Sequence, residues 1–375
     1  MTKKPIRVLQ VIGVMNRGGA ETMIMNLYRH IDREKVQFDF VENAGEKAAY
    51  DEEIRQLGGR IFRCPRFRGI NLADYKKWWQ RFFDEHAREY RIVHGHIGST
   101  ASFYLQEAKK HGLVAVAHSH NTNGPLSVSS LLYRALSQTT RSIADYFFGC
   151  SIQAGIDRYG AEIVRNGDRF LILNNAVDTA QFAYDTAART QSRAALNYRE
   201  TDFVIGHAGR FMEQKNHAYL LDIFLEISRL APDARLLLVG DGPLREKTRQ
   251  KAETLGIVDK VTFTGVRADV AELMQAMDVL LFPSKNEGLP VTLVEAQTSG
   301  LPCVISDRIP GDSILCDDLV TVCSLEESPA FWARKVLETK NTERRDHSRE
   351  VNAAGFDINE TAKWLEAFYL EKAEQ

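Results

Sequence analysis

Two short stretches of this sequence hold the residues best suited to chemistry. In Gly209-Arg210-Phe211-Met212-Glu213-Gln214-Lys215-Asn216, a guanidinium and an ammonium stand five residues apart on a turn from a strand into a helix. Arg supplies planar bidentate donors and Lys a point charge, so the two can flank one polyanion such as a diphosphate. The alternative is two solvated loop cations. In Glu287-Gly288-Leu289-Pro290-Val291-Thr292-Leu293-Val294-Glu295, one carboxylate lies in a loop and the other eight residues on, about two turns along a helix that Pro290 opens. Free N–H groups at Gly288, Leu289 and Val291 make an anion site at the helix start. Two carboxylates there would repel phosphate and suit hydroxyls better: a sugar ring for Glu287, a ribose for Glu295. A charge favouring the helix dipole and an exposed helix Glu are their alternatives.

A second group lies in the first half of the chain. His118-Ser119-His120-Asn121 ends a strand, and one of the two histidines is expected to face the reacting centre. Residues two apart share a face in a strand, but a turn beginning at Ser119 would separate them, and the sequence leaves both arrangements open. His94 and His96 repeat the pattern at the preceding strand, as pocket lining or as a cap. Gly18 and Gly19 follow the first strand. Lacking a Cβ, they let backbone amides approach a phosphate, unless they merely form a tight turn. No Asp-x-Asp occurs, so the usual carboxylate pair for a diphosphate-bound metal is missing, and metal-independent chemistry is expected. The five cysteines show neither C-x-x-C nor zinc-finger spacing. Residues 68–91 interleave Trp78, Trp79, Phe82 and Phe83 with Lys76, Lys77 and Arg81, a pattern for an anionic bilayer surface or for packing on a sheet.

These residues need elements to hold them. A chain of 375 residues with 44% hydrophobic and 26% charged residues favours two globular domains and excludes collagen-like, coiled-coil and disordered classes. No apolar run is long enough for a bilayer span, and the apolar N-terminal stretch reads as a strand without a signal-peptide cleavage site, so a cytoplasmic protein is expected. Residues 1–180 hold 25 Lys+Arg against 19 Asp+Glu, too slight an excess for a nucleic-acid domain.

Short aliphatic runs alternate with helical stretches from residue 6 to 150 and again from 203 to 306, the signature of an α/β fold with two parallel sheets. The polar segment 174–199 reads as the linker. The expected domains are 1–180, 181–355 and a terminal helix 356–375 that packs on either domain, with ligands in a cleft at the carboxyl ends of the strands. The first strand is followed by Gly13-Val14-Met15-Asn16-Arg17-Gly18-Gly19, not G-x-G-x-x-G, which argues against a dinucleotide dehydrogenase.

Arg210 with Lys215, Gly240-Asp241-Gly242-Pro243, Phe263-Thr264-Gly265, Pro283-Ser284 and the stretch Glu287 to Glu295, in this order, resemble the donor half of the family 4 retaining glycosyltransferases. Gly18-Gly19-Ala20-Glu21 and His118-Ser119-His120-Asn121 resemble the acceptor half, with the capsular and exopolysaccharide subgroup the nearest in appearance. The resemblance spans residues 7 to 310. It implies the GT-B architecture, two Rossmann-like parallel-sheet domains facing a central cleft, the first binding acceptor and the second a nucleotide sugar. It further implies retaining, metal-independent transfer of a hexosyl unit from a UDP-sugar to a glycan or polyprenyl-linked acceptor in cell-surface polysaccharide synthesis. No cofactor beyond that co-substrate, no nucleic acid partner and a peripheral contact with the cytoplasmic membrane face are expected. Carried over, Arg210 and Lys215 meet the diphosphate, Glu287 the transferred sugar and Glu295 the ribose. Gly18, Gly19, Gly240, Gly288, Leu289 and Val291 line the donor, Val266 and Arg267 meet the base edge, and His118 or His120 holds the sugar. The alternative is a UDP-sugar 2-epimerase type of isomerase on the same fold, which needs an acid/base set around the sugar ring.

Overall fold

The computed structural model describes residues 4–16, 18–43, 45, 47–120 and 138–374. The chain divides into two units, residues 1–176 with 358–375, and residues 177–357.

The first unit is built on strands β1 (Ile6–Ile12), β2 (Val36–Asn43), β3 (Ile61–Cys64), β4 (Ile92–Gly95), β5 (Val114–Ser119), β6 (Tyr146–Gly149) and β7 (Phe170–Ile172). They form one parallel sheet in the order β3-β2-β1-β4-β5-β6-β7. The helices are α1 (Gly19–His30), α2 (Asp51–Gln56), α3 (Leu72–His86), α4 (Ala101–Lys110), α5 (Ile152–Tyr159) and α6 (Ala161–Asn166). The strands are buried on both faces, which is why they read as continuous apolar runs. Val8, Ile12, Val116 and Phe148 pack on one face with Met23, Leu27 and Tyr28 of α1. Leu9, Val11, Val93 and Ala115 pack on the other with α3 and α4. In α3 the aromatic residues go inward: Trp79, Phe82 and Phe83 are buried while Lys76, Lys77 and Arg81 are exposed. The reading of those rings as a bilayer-facing surface is thereby corrected, because the sheet takes them.

The second unit holds α7 (Thr179–Phe182), α8 (Thr186–Ala195), β8 (Phe203–Ala208), α9 (His217–Leu230), β9 (Ala234–Val239), α10 (Arg245–Thr254), β10 (Val261–Gly265) and α11 (Val270–Ala276). It continues with β11 (Val279–Phe282), α12 (Val291–Thr298), β12 (Cys303–Ser306), β13 (Val320–Cys323), α13 (Pro329–Glu338) and α14 (Ser348–Ala353). Its parallel sheet has the order β10-β9-β8-β11-β12-β13. The final helix α15 (Ile358–Ala373) returns to the first unit, where Ile358, Ala362, Leu365, Phe368 and Tyr369 join the core beside α1.

Segment 174–199 is not the featureless linker its polarity suggests. It forms α7 and α8, and a fully buried Arg193 anchors it. That guanidinium donates to the carbonyls of Ala276 (3.0 Å), Arg199 (2.8 Å) and Asp202, and Arg189 pairs with Asp278 at 2.5 Å. Hydrogen bonds from the planar fork replace the apolar stripe that sequence periodicity looks for.

Candidate active site

In each unit the strand order reverses once, between β1 and β4 in the first and between β8 and β11 in the second. Open parallel sheets bind ligands outside the carboxyl ends of their strands at this switch point. The residues singled out from sequence gather at these ends, within each unit separately.

In the second unit, β8 leads into Gly209 and Arg210. The turn is tied down by Gly209 N–H to the Val239 carbonyl (2.9 Å) and Phe211 N–H to the Asp241 carbonyl (3.0 Å). Gly240 has φ +131°, and a Cβ there would lie 2.2 Å from the Gly209 carbonyl oxygen, so only glycine fits. Phe211 is buried, stacked on His217 with centroids 4.0 Å apart. Arg210 is turned outward, exposed and without a partner among the described residues.

Lys215 is not free. Its Nζ lies 2.7 Å from Glu287 Oε1 and 4.6 Å from the centre of the Phe282 ring. Both side chains are largely buried, at 16% and 8% exposure. Gln214 Nε2 donates to Glu287 Oε2 (3.3 Å) and to the Asn286 carbonyl (2.7 Å), and Asn216, held at φ 57°, donates to the Pro283 carbonyl (3.1 Å). The loops after β8 and β11 are thus stitched together. Assigned separately from sequence, Lys215 to phosphate and Glu287 to sugar, the two side chains form one ion pair. The lysine neutralises the carboxylate that would otherwise repel an anion beside it.

Pro290 is the N-cap of α12, with extended backbone (φ −72°, ψ 107°), rather than its first helical residue. Glu295 therefore stands about one turn into α12, not two. Burial pushes its carboxyl up to about 7. The N–H groups of Gly288 and Val291 have no partner among the described residues, and Leu289 is buried. Val266 is exposed on the loop after β10, next to Arg267, whose Nε bonds Asp269 Oδ1 at 2.7 Å. That loop adjoins Gly240 through its N–H to the Gly265 carbonyl (2.9 Å). Beneath Arg210 and Lys215 lie two histidines that sequence reasoning passed over. His207 and His217 are buried and held neutral: His217 near 4, by burial first and the Lys215 charge second, and His207 by burial first, then His217, with Lys215 adding less.

In the first unit, Gly18 caps α1 in an extended conformation (φ −114°, ψ 172°), and Gly19 is likewise absent from the positive-φ residues. Gly18 N–H donates to the Asn16 carbonyl at 2.9 Å, so a tight turn does form here, without a positive φ. A Cβ on Gly19 would meet nothing within 4 Å, which leaves its face open to a ligand. Arg17 and Asn121 lie outside the described residues.

β5 runs through Ser119, so no turn separates His118 from His120, and their ring centroids are 4.0 Å apart. With His94 and His96 of the neighbouring strand they form a stack of four, His94 over His96 at 4.5 Å. His94 Nε2 meets His118 Nδ1 at 3.2 Å and His96 Nδ1 meets His120 Nε2 at 2.7 Å. Behind them, Tyr369 Oη touches His94 Nδ1 (2.6 Å) and Gln10 Oε1 touches His96 Nε2 (2.8 Å). Burial keeps all four neutral, with His94 and His120 near 3 and His96 and His118 well below the usual range. Neutral imidazoles are also metal ligands, and the nitrogens of His94, His96 and His118 lie within 4.8 Å of one another, the described set that comes nearest to a metal site. Gln10 had a signal in the sequence, as the one polar residue inside the apolar run Val8–Ile12. Tyr369, 275 residues from its histidine partner, had none.

Residues 17–181 match the family described as Glycosyltransferase Family 4, and residues 188–354 match Glycosyl transferases group 1. A protein of Bacillus subtilis (strain 168) described as "Putative glycosyltransferase EpsF" is 36% identical over 96% of this chain and 95% of its own length. The UDP-Gal:alpha-D-GlcNAc-diphosphoundecaprenol alpha-1,3-galactosyltransferase of Escherichia coli is 27% identical over 60% of each chain. Among solved structures, Anabaena Alr3699/HepE in complex with UDP-glucose superposes with a TM-score of 0.77 at 19% identity, covering 98% of this chain and 99% of that one.

Proposed function

The chain belongs to glycosyltransferase family 4, with the GT-B fold and the character of a polysaccharide-synthesis transferase, and on that premise we propose retaining, metal-independent transfer of a hexosyl unit from a UDP-sugar. The acceptor is a glycan or a polyprenyl-linked glycan. The observation that carries this reading is the arrangement in the second unit: an exposed, unpaired Arg210 beside the buried Lys215–Glu287 pair at the switch point. A UDP leaving group develops negative charge on its diphosphate. Preorganised cations answer that charge without a metal.

In this mechanism Arg210 binds the diphosphate, aided by the N–H groups of Gly288 and Val291, which have no partner among the described residues; Gly19 offers a further amide and Gly18, its N–H held by the Asn16 carbonyl, shapes the turn that presents it. Lys215 reaches the same phosphate while holding Glu287, whose carboxylate accepts from sugar hydroxyls. Glu295 meets the ribose, and its raised pKa lets it donate as well as accept. Gly240, Val266 and Arg267 frame the base side. His118 and His120, being neutral, hold a hydroxyl. Neither glutamate is placed as a nucleophile, so the leaving phosphate takes the acceptor's proton and attack from the same face retains configuration. The E. coli relative's name, with its UDP-galactose donor, diphosphoundecaprenol acceptor and alpha linkage, supports the donor and acceptor classes. Among the described residues no helix is long and apolar enough to cross a membrane, and the exposed Lys76, Lys77 and Arg81 of α3 suit a peripheral contact with the cytoplasmic face, where a lipid-linked acceptor would be met. The isomerase alternative asks for an acid at the sugar ring, a role for which histidines held neutral are ill suited.

The test is a panel of nucleotide sugars scored by nucleotide release, with and without polyprenyl-linked acceptors. NMR of the first-formed product from an α-donor should show an α linkage. A β linkage, or a glycosyl ester trapped on Glu287 or Glu295, would defeat the mechanism; epimerised donor without acceptor would revive the isomerase.

A further inference from the structure

The hydrogen bonds of the four-histidine stack dictate an order of protons. One arm starts at Gln10 Nε2, which donates to the Tyr369 hydroxyl (3.4 Å); the hydroxyl donates to His94 Nδ1 (2.6 Å), and His94 Nε2 donates to His118 Nδ1 (3.2 Å). His118 Nε2 is then an N–H, buried and without a partner among the described residues. The other arm starts at Gln10 Oε1, which accepts from His96 Nε2 (2.8 Å), while His96 Nδ1 accepts from His120 Nε2 (2.7 Å). His120 Nδ1 is then a lone pair, equally buried and without a partner among the described residues. A neutral imidazole has one donor and one acceptor nitrogen, so each link forces the next.

Turning the Gln10 amide over reverses both arms together. All four rings change from the Nε2–H to the Nδ1–H tautomer, His118 presents the lone pair and His120 the N–H. In either order the two free nitrogens are complementary, on rings 4.0 Å apart. A group that both accepts and donates satisfies them, which a hydroxyl does. A carboxylate or phosphate has no proton for the lone pair, and an ammonium cannot accept from the N–H. A buried donor left unpaired is costly, so a partner for both ends is favoured.

We propose that Gln10 and Tyr369 are positioning residues that couple the two arms, so that His118 and His120 jointly take one hydroxyl of the sugar substrate. The identity of the substrate rests on the transferase reading above; the coupling does not. Two nitrogens on one tetrahedral zinc at about 2.0–2.1 Å would stand about 3.3 Å apart; the 2.7 Å between His96 and His120 is an N–H···N distance, while the 3.2 Å between His94 and His118 suits either a hydrogen bond or a shared ion, so zinc is an outcome of the test.

The test uses the full chain, 15N-labelled, with ring 15N–1H correlation spectra to assign tautomers at pH 8.5. In the wild type, His94, His96, His118 and His120 should share one tautomer. In Gln10→Glu the carboxylate accepts from both sides, so His94 and His118 should become Nδ1–H while His96 and His120 are Nε2–H. Two lone pairs then face the hydroxyl, one hydrogen bond is lost, and kcat/KM for transfer should fall about tenfold. Tyr369→Phe should leave the Gln10–His96–His120 arm ordered, release the His94–His118 arm into mixed tautomers and cost a similar factor. The donor analogue lacking the held hydroxyl should lose more than that tenfold in the wild type, where two hydrogen bonds go, and a smaller factor in Gln10→Glu, where one remains to be lost.

Tautomers that differ between the arms in the wild type, a uniform set in Gln10→Glu, or stoichiometric zinc whose removal shifts the ring nitrogens would overturn the coupling. If no deoxy analogue is penalised, the occupant is water and the sugar assignment falls. Ordered tautomers in a protein that transfers no sugar would retire the transferase reading and leave the coupling standing.

Discussion

The two strand-end clusters occupy equivalent places in their sheets and are made of opposite materials. At the end of β8 the chemistry is ionic, carried on loops, with one cation open to solvent and one locked to a carboxylate. At the ends of β4 and β5 it is neutral, carried on the strands, and connected through Gln10 to β1 and through Tyr369 to α15 on the same face of the sheet. A leaving diphosphate calls for full charges that reach outward. A hydroxyl calls for dipoles of fixed sense, and charge there would blur which end donates. The difference teaches that burial has separate uses in the two places: it strengthens one ion pair, and it suppresses the ionisation of four histidines.

The sharpest way to break the comparison is to remove each cation in turn. Arg210→Ala should lower turnover by about 10² to 10³ and leave the urea midpoint unchanged, because the side chain is exposed and unpaired. Lys215→Ala should lose turnover on the same scale and also destabilise the second unit by about 3–5 kcal/mol, since it strands a buried carboxylate. Equal stability losses in the two variants would show that the pair is not the organising contact.

Acid should separate the units next. The unfolded chain binds protons on histidine below about pH 6.5. The folded first unit refuses them until near pH 3 at His94 and His120. A lowered histidine pKa contributes stability that is complete above pH 6.5 and is lost as pH falls, at up to about 1.4 kcal/mol per pH unit for each histidine. The first unit has four such groups, opposed by Glu42, raised by burial, and His111, raised by the Glu107 carbonyl. The second has only His207 and His217, opposed by Glu295, whose raised pKa favours the folded state as pH falls below 7. Hydrogen exchange between pH 7.5 and 5 should therefore show the first unit opening first; the reverse order would contradict this account.

The smallest expected effects are at the periphery. Arg267→Ala, already paired with Asp269, should change donor KM by less than about threefold, consistent with an exposed ion pair. Excess EDTA should leave the rate of transfer unchanged, and loss of activity restored by Mg²⁺ would show that the cations do not suffice.

Much of the architecture was legible because the buried strands of a parallel sheet write themselves as aliphatic runs, as at Ile6–Ile12 and Phe203–Ala208. Arg210, Lys215 and Glu287 were legible as residue types at strand ends. Their pairing was not, because Lys215 and Glu287 are 72 residues apart and meet only when β8 and β11 become neighbours. Helices α7 and α8 escaped because a buried guanidinium fills the place of an apolar stripe. The edge strands β7 and β13 escaped because, unlike the equally short inner strands, they are only partly buried and alternate less clearly with helices.

The return of α15 to the first sheet has a consequence for how the protein is made. Synthesis delivers all of β1 to β7 first, then the whole second unit, and only afterwards the residues Ile358 to Tyr369 that cover the α1 side of the first core. The second unit can complete itself while the ribosome is still working, whereas the first must wait with an apolar face uncovered. The first half of the gene product is therefore the last to mature, and it is the stage of biogenesis at which a chaperone would find most to bind.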